Sequence, residues 1–429
     1  MTTLTRAPTI TSTETVERLA IDGGPKVRAT PFPPRRLFGE EEKRAVMELF
    51  DRSIQTGEAF GYSGEEERRL GEEFAAALGG GFADGVNSGT SAVYVALRSL
   101  DLEPWTEVIV PPITDPGGVM PVAIMNCVPV PADCAPGSYN TSGEQIAARL
   151  TERTSAILVA HIAGIPVDMD PIVQLARQRG LPVVEDCAQA PGATYKGQPV
   201  GTFGEVAAFS TMFGKHFATG GQGGVVFTKN EERYWKIRRC ADRGKPFNLP
   251  GAKGNVAAAL NCNMDELHAA IGRVQLRKLP GIVARRRRLA LALEDGCRRR
   301  LQAVRMLGDP PFGQSSFWFL FFEIDASQLK VDKAAFVAAL AAEGIPAGAS
   351  YLHSPALAPW MKNRRVFGSS GLPWENSAYR GDQHPSYPLP NTLATDASHF
   401  LMPLHENLTE REVADILRAL EKVEKAYII

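Results

Sequence analysis

The sequence predicts an α/β fold in which a mostly parallel central sheet is flanked by helices and followed by a smaller α+β domain. Between residues 81 and 186, short apolar runs typical of strands alternate with helical segments of about ten residues, the pattern of a wound parallel sheet. With 429 residues, the chain also exceeds the length at which single cores usually split. We therefore predict an N-terminal tail (1–34), a large domain (35–285) and a small C-terminal domain (286–429).

The elements follow from local patterns, taken in order. Segments 39–53 and 64–80 are amphipathic with acidic first turns, which is typical of helix starts. Strands are predicted within 81–87, 107–113, 127–133, 154–162 and 181–186, and helices within 89–100, 116–126, 142–151 and 170–180. A long, kinked helix is predicted over 264–302. The small domain is predicted to contain strands at 317–325 and 344–352, a helix between them at 332–343, and a closing helix at 409–427.

Charge and composition exclude several function classes. The 47 basic and 48 acidic residues nearly cancel, so there is no electrostatic case for a nucleic-acid partner. No run of 18 apolar residues predicts a membrane span, and the N-terminus lacks the apolar core of a signal peptide. Six cysteines without metal-ligand spacing indicate reduced thiols. We therefore expect a cytoplasmic protein that binds neither a membrane nor a metal.

Four consecutive arginines, residues 285–288, raise the question of a basic patch. Consecutive residues of a helix point in different directions, and acidic residues are nearby. We interpret the run as a solvated helix surface.

The stretch 208–227, AFSTMFGKHFATGGQGGVVF, places Lys215 between two apolar runs that resemble buried strands. Either this is a surface turn or the lysine has a role that requires burial. Two further segments bear on the choice. Asp186 ends a predicted strand, where wound sheets bind ligands, although it could simply cap a helix. Residues 87–97, NSGTSAVYVAL, place Gly89, Thr90 and Ser91 at a helix start that could bind an anion or be an ordinary capped start.

An anion cradle, a carboxylate and a lysine in one domain together predict pyridoxal 5′-phosphate. Its phosphate needs N–H and hydroxyl donors, its ring nitrogen needs a carboxylate, and its aldehyde needs a lysine amine with which to form a Schiff base. Burial lowers the pKa of a lysine, which makes its amine nucleophilic near neutral pH.

The chain resembles the DegT/DnrJ/EryC1/StrS family of pyridoxal-phosphate sugar and cyclitol aminotransferases. The resemblance rests on six ordered motifs, NSGTSA, VIVPP, VEDCAQAPGA, FSTMFGKHFATGGQGG, NCNMDELHAAIGRVQL and LMPLHENLTEREV. It implies fold-type I, the fold of aspartate aminotransferase. It also implies a homodimer with shared active sites, in which Asn261 of NCNM reaches the phosphate bound by the neighbouring subunit.

The resemblance also assigns roles to single residues. Lys215 is implied to form the Schiff base, Asp186 to pair with the ring nitrogen and Gln189 to lie near the phenolic oxygen. Ser210 is implied to contact the phosphate, together with Thr90 and Ser91 or the backbone amides there. Asp115 stands where relatives carry an aromatic residue that stacks on the ring, so it implies a changed stacking partner, a shifted alignment or a carboxylate that reads the substrate.

The histidines show no metal-binding pattern such as HExxH. His216 follows the lysine directly, and a structural role is favoured over a catalytic one. His353 and His405 fall in segments that approach the substrate in relatives, so both are candidates for substrate contact.

The resemblance predicts transfer of an amino group from L-glutamate or L-glutamine to a keto-sugar or keto-cyclitol, in secondary-metabolite or cell-surface sugar biosynthesis. Two alternatives stay open. One is a pyridoxal-phosphate dehydratase or aromatising lyase of the same family, since FGKHFATGGQGG resembles the lysine motif of aminohydroxybenzoate synthases. The other is a non-catalytic regulatory protein that binds the cofactor.

Overall fold

The computed structural model describes residues 17–429. These residues form twelve α-helices: α1 Glu40–Thr56, α2 Glu65–Ala77, α3 Gly89–Arg98, α4 Met120–Ile124, α5 Gly143–Ala147, α6 Met169–Arg179, α7 Glu231–Ala241, α8 Glu266–Arg300, α9 Lys333–Ala342, α10 Pro359–Lys362, α11 Pro390–Ser398 and α12 Glu410–Tyr427. The thirteen strands in the same residues are β1 Phe82–Val86, β2 Glu107–Val110, β3 Val128–Pro131, β4 Thr154–Ala160, β5 Val183–Asp186, β6 Thr194–Tyr195, β7 Gln198–Pro199, β8 Val206–Ser210, β9 Gly224–Thr228, β10 Val304–Met306, β11 Gly313–Gln314, β12 Phe319–Ile324 and β13 His399–Pro403.

A seven-stranded sheet forms the centre of the large lobe, in the order β1-β9-β8-β5-β4-β2-β3. Strand β9 runs antiparallel to its neighbours β1 and β8, and the other pairs are parallel. The predicted α/β fold with a mostly parallel sheet is therefore confirmed.

Helices cover both faces of this sheet, which explains why its strands are almost continuously apolar. Along β4, Ala156 and Leu158 pack on one face with α3, α4 and α7, while Ile157 and Val159 pack on the other with α2, α6 and α8. Because parallel strands end at one edge, β5 delivers Asp186 and β8 delivers Ser210 to the same edge of the sheet.

The C-terminal lobe packs its own core around the antiparallel sheet β10-β12-β13. Helices α9 and α12 and the second half of α8 contribute to this core. Helix α8 passes without interruption through Pro280 and packs against both lobes, so the predicted boundary at residue 285 falls inside it.

The N-terminal segment is not loose where the structure describes it. Leu19 is buried in the C-terminal core, and Arg28 forms ion pairs with Glu412 and Asp415 of α12 at 3.0 Å and 2.7 Å. Residues 17–34 therefore belong structurally to the C-terminal lobe, while the rest of the predicted tail, residues 1–16, lies outside the described residues.

Two predictions about single segments were wrong. Segment 344–352 forms no strand beyond a single bridge between Gly348 and Leu401, because Pro346 has no amide to donate and the amide of Tyr351 bonds to Asp396 instead. Arg286 is not on a solvated surface but is 1% exposed and paired with Glu406. Over residues 17–429, the structure contains no helix that combines the length and the apolar character needed to span a membrane.

Candidate active site

A cavity of about 240 Å³ opens at the edge of the large sheet where β5 and β8 end. It is lined by Ser88, Gly89, Thr90, Val93, Thr114, Asp115, Gly117, Gly118, Asp186, Ala188, Gln189, Ser210, Met212, Lys215, Gln222 and Trp318. Seven of the residues singled out from the sequence therefore meet in one place.

Asp186 supplies a buried carboxylate. Its Oδ1 accepts a hydrogen bond from the amide of Ala188 at 3.0 Å. Burial raises the pKa of Asp186, whereas the Ala188 amide and the charge of Lys215 act to lower it. A carboxylate whose charge is penalised in this way gains most from a cationic partner, such as a protonated ring nitrogen.

Lys215 lies in the turn between β8 and β9, and only 5% of its surface is exposed. Its backbone amide donates to the carbonyl of Met212 at 2.8 Å, which fixes the turn. Burial lowers the pKa of Lys215 to about 8, against the opposing charges of Asp186 and Asp115. An appreciable fraction of its amine is therefore uncharged, and nucleophilic, at neutral pH.

The first residues of α3 form the anion-binding end of the cavity. Neither the Gly89 nor the Thr90 amide has a hydrogen-bond partner among the described residues, and both lie at the positive end of the helix dipole. Ser91 is placed differently from the sequence-based expectation. Its hydroxyl donates to Asn87 at 2.6 Å, outside the cavity, and its amide is capped by the hydroxyl of Ser88. Ser88 lines the cavity instead. A serine directly before a helix is a typical N-cap, and this position could have identified Ser88 from the sequence.

Two glycines show how closely the cavity walls approach each other. A Cβ on Gly89 would lie 2.8 Å from the hydroxyl oxygen of Ser210, and a Cβ on Gly117 would lie 2.1 Å from that of Thr90. Only glycine keeps these loops close enough for amides and hydroxyls to converge on one anion. Converging donors, a buried carboxylate and a buried amine are the set that pyridoxal 5′-phosphate requires, so the residues present fit this cofactor.

Asp115 and Gln189 line the cavity with part of their polar groups already engaged. The Oδ1 of Asp115 accepts from the amide of Gly117 at 3.0 Å, and the residue is exposed. Gln189 accepts from the amide of Ala163 at 2.8 Å and donates to the hydroxyl of Tyr351 at 2.9 Å. Both side chains are thus held in fixed orientations.

Trp318 also lines the cavity, although its local sequence does not indicate this role. Trp318 belongs to the aromatic run just before β12, which looks like the core of a strand. Its ring nonetheless faces the amine of Lys215, with 3.5 Å between Nζ and the ring centroid. No pattern within that run distinguishes Trp318 from the buried phenylalanines around it.

The three candidate histidines, His216, His353 and His405, lie outside the cavity, and so does Asn261. His216 is fully buried, and its ring nitrogen Nε2 donates to the carbonyl of Ser316 at 3.0 Å. His353 lines a neighbouring pocket of about 260 Å³, and the ring of His405 accepts from the amide of Asn407. Asn261 is exposed, and its carbonyl accepts from the side chain of Asn87 next to α3.

One buried cluster has the composition of a metal site, namely His161, Glu185 and Cys187. The side chains of His161 and Glu185 already have protein partners. His161 accepts from the amide of Val167 and bonds to Glu185, and Glu185 also accepts three backbone amides, from Gly201, Phe203 and Gly204. The cluster therefore ties the loop after β7 to β5.

Comparison with known proteins gives one consistent result. Residues 40–421 match the family model of the DegT/DnrJ/EryC1/StrS aminotransferase family. Over 411 residues, the chain is 28% identical to the uncharacterized protein MJ1066 of Methanocaldococcus jannaschii, covering 92% of this chain and 98% of that protein. An aminotransferase from Psychrobacter cryohalolentis has a similar structure, with a TM-score of 0.78 and 28% identity over 92% of this chain and 99% of the other. DesI, solved in the presence of its TDP-sugar product, gives a TM-score of 0.76 and 26% identity, over 95% and 96% of the two chains.

Proposed function

The chain belongs to the DegT/DnrJ/EryC1/StrS aminotransferase family and is a pyridoxal-phosphate-dependent transaminase of fold-type I; from this premise we propose that it moves the amino group of L-glutamate or L-glutamine to a keto-sugar or keto-cyclitol. The observation that carries the proposal is the meeting of Lys215, Asp186 and the start of α3 in one cavity.

Lys215 performs the proton transfers in this proposal. When bound, pyridoxal phosphate supplies an aldehyde that takes up the amino group and a ring that stabilises negative charge at the reacting carbon. The Nζ of Lys215 would hold the cofactor until the amino donor arrives, and would then take the proton from the donor's Cα. A pKa of about 8 suits a group that must gain and lose a proton near neutral pH.

The remaining cavity residues hold the cofactor. The carboxylate of Asp186 would keep the proton on the ring nitrogen, and Gln189 would hold the ring through its phenolic oxygen. The amides of Gly89 and Thr90, with the hydroxyls of Thr90 and Ser210, bind the phosphate. The amino group and the carbonyl oxygen are exchanged, so one amino acid becomes a keto acid for each ketone that becomes an amine.

The acceptor class is supported by the family and by one relative. DesI was solved with a TDP-sugar product, so a ketone on a sugar-like ring is the acceptor class we propose here. The pocket that contains His353 shares Thr114 with the cofactor cavity, so a molecule bound in this pocket would lie next to the cofactor. We assign His353 to this approach and leave His405 and His216 structural.

We also propose a homodimer whose partner subunit completes the phosphate site through Asn261. Helix α1 exposes Met47, Phe50 and Ile54 along one face, and Phe213 is 64% exposed two residues before Lys215. Large apolar side chains exposed in this way are typical of surfaces that a partner covers.

The direct test replaces the lysine. Lys215→Ala should abolish transamination and the visible absorbance of the covalently held cofactor, while Lys196→Ala, a change at an exposed lysine, should preserve both. Retention of both signals in Lys215→Ala would refute the assignment of Lys215.

The reaction type and the substrates need a second measurement. Spectra recorded with a panel of amino donors and then of keto-sugars and keto-cyclitols should show the cofactor band disappear and return. Transamination yields one keto acid per aminated product. Product formed without any amino donor would identify elimination instead.

A further inference from the structure

A tryptophan from the C-terminal lobe forms one wall of the cofactor cavity. Trp318 is the only aromatic residue among those that line the cavity, and its ring centroid is 3.5 Å from the Nζ of Lys215. Throughout residues 17–429, no carboxylate oxygen lies within 4.0 Å of the Lys215 Nζ, the distance needed for an ion pair. The indole face thus occupies the place that a counter-ion would have beside a buried lysine.

Three hydrogen bonds hold the indole in this position. The backbone amide of Trp318 donates to the carbonyl of Ala163 at 2.8 Å, and its indole N–H donates to the carbonyl of Gly214 at 2.8 Å. The guanidinium of Arg286 donates to the carbonyl of Trp318 at 3.0 Å. Because Gly214 directly precedes Lys215, the second bond fixes the ring and the lysine relative to each other.

The backbone of Phe317, the residue before Trp318, is strained, so the position of the Trp318 ring is maintained at a steric cost. Phe317 has a φ of +52° although it is a bulky, buried residue, and such residues rarely adopt the left-handed region. The amide of Ser316 bonds to Gly164 at 2.9 Å, and Arg286 bonds to the carbonyl of Phe317 at 3.2 Å. Backbone strain persists only where the surroundings enforce it, so the direction of Trp318 is specified by the fold.

We propose that Trp318 is a positioning residue for Lys215: its indole face holds the amine in place whenever that amine is not bonded to the cofactor, and it stabilises the amine once it carries a proton. The negative face of an indole attracts a cation, and the attraction is stronger where water is excluded. The amine is released in the first half-reaction and bonds to the same carbon again only at the end of the second, so a fixed resting place favours its return. This inference rests on the role of Lys215 under Proposed function.

The charges around Lys215 determine what removal of the ring should do. Asp186 at the end of β5 and Asp115 after β2 favour the ammonium, and burial opposes it, which gives the pKa of about 8. His216, next in the chain, is uncharged at neutral pH because burial lowers its pKa. Loss of the indole face removes a further stabilisation of the ammonium, so the pKa of Lys215 should fall by about half a unit to one unit.

The experiment uses the full-length protein freed of cofactor. The rate of covalent attachment of pyridoxal 5′-phosphate, followed by its visible absorbance, reports the pKa of Lys215 as the pH is raised. Trp318→Leu should shift this profile to lower pH by about half a unit to one unit, and Trp318→Phe should shift it less because a ring face remains. Trp235→Leu, at a partly buried tryptophan on α7 outside the cavity, should leave the profile unchanged.

Tryptophan emission gives a readout that does not depend on activity. Cofactor binding should quench wild-type emission, and Trp318→Phe should lose most of that quenching whereas Trp235→Phe should keep it. If Trp318→Leu does not fold, wild-type protein made with 5-fluorotryptophan replaces it, because fluorine weakens the ring's attraction for a cation with little change of shape.

An unchanged pH profile in folded Trp318→Leu or in the fluorinated protein would overturn the proposal for Trp318. Failure of the wild-type protein to attach the cofactor would instead overturn the role of Lys215, so the two failures are distinguishable.

Discussion

At the scale of single residues, Asp186 shows a conflict between stability and function. Folding buries its carboxylate, and burial raises its pKa above the unfolded value of 3.8. An acid with a raised folded pKa binds more protons when folded, so its contribution to stability is greatest in acid and falls as the pH rises from 3.8 through the folded value. At neutral pH the cofactor-free protein therefore carries a penalty, and each unit of raised pKa is worth ~1.4 kcal/mol.

Asp186→Asn should consequently make the cofactor-free protein more stable at neutral pH, with the difference from wild type shrinking as the pH approaches 3.8. The same change should lower transamination by about a thousandfold or more, because the ring nitrogen loses the carboxylate that keeps it protonated. Thermal unfolding over a pH series and steady-state rates measure the two effects. Asp51→Asn, at an exposed position on α1, is the control. A destabilised Asp186→Asn at neutral pH would contradict the account.

At the scale of elements, the glycine-rich contact between α3 and the loop after β2 fixes the phosphate site. Gly117→Ala would place a Cβ 2.1 Å from the hydroxyl oxygen of Thr90, which must then move out of the cradle. We expect cofactor affinity to fall by about tenfold or more, as the loss of one charge-assisted hydrogen bond would produce. Equilibrium titration with pyridoxal 5′-phosphate measures it. Gly221→Ala, where a Cβ meets no atom within 4 Å, should bind as wild type does.

A buried ion triad joins the elements that carry Lys215 and Trp318. Glu406 pairs with Arg286 and Arg35, both at 2.9 Å. Arg286 bonds to the carbonyl of Trp318, and Arg35 bonds to the carbonyl of His216 at 2.8 Å. One carboxylate thus organises both the turn after β8 and the approach to β12.

Glu406→Gln should reduce the free energy of unfolding by about 3 kcal/mol or more, because Arg286 would stay buried without its counter-ion. The matched control is the partner of Arg288, which lies two residues after Arg286 in the same run of arginines. Arg288 forms an exposed pair with Glu410 at 3.6 Å, so Glu410→Gln should cost less than ~1 kcal/mol. Denaturant unfolding of both variants measures the two free energies. A similar decrease in the free energy of unfolding for both would show that burial of Arg286 does not make its ion pair more important for stability.

These examples show what the sequence could and could not provide. Strand–helix alternation predicts the sheet, and the ends of β5 and β8 place Asp186 and Ser210 together because parallel strands end at one edge. Trp318 and the triad were missed because they join segments more than 100 residues apart, and no local periodicity carries that information. Arg286 looked solvated for the same reason, since its partner lies 120 residues along the chain.

At the scale of the whole molecule, the cavity of one chain is proposed to be incomplete until Asn261 of the partner subunit completes it. Asn261 is exposed in this chain and lies outside its cavity, so its proposed target is the site of a second copy. A closed twofold pair would bring each Asn261 to the other cavity in the same way. If so, Lys215 and Asn261 of one chain serve two different sites.

A heterodimer tests this arrangement. Coexpression of Lys215→Ala and Asn261→Ala chains with different tags allows the mixed dimer to be purified. One of its sites combines two intact contributions and the other lacks both, so activity should return to about half that of the wild-type dimer, far above either parent homodimer. The control combines Lys215→Ala with Asp186→Asn, residues that line the same chain's cavity, and this pair should stay inactive because each site keeps one defect. A Lys215–Asn261 mixed dimer as inactive as its control would place Asn261 in the site of its own chain, and the shared-site arrangement would be wrong.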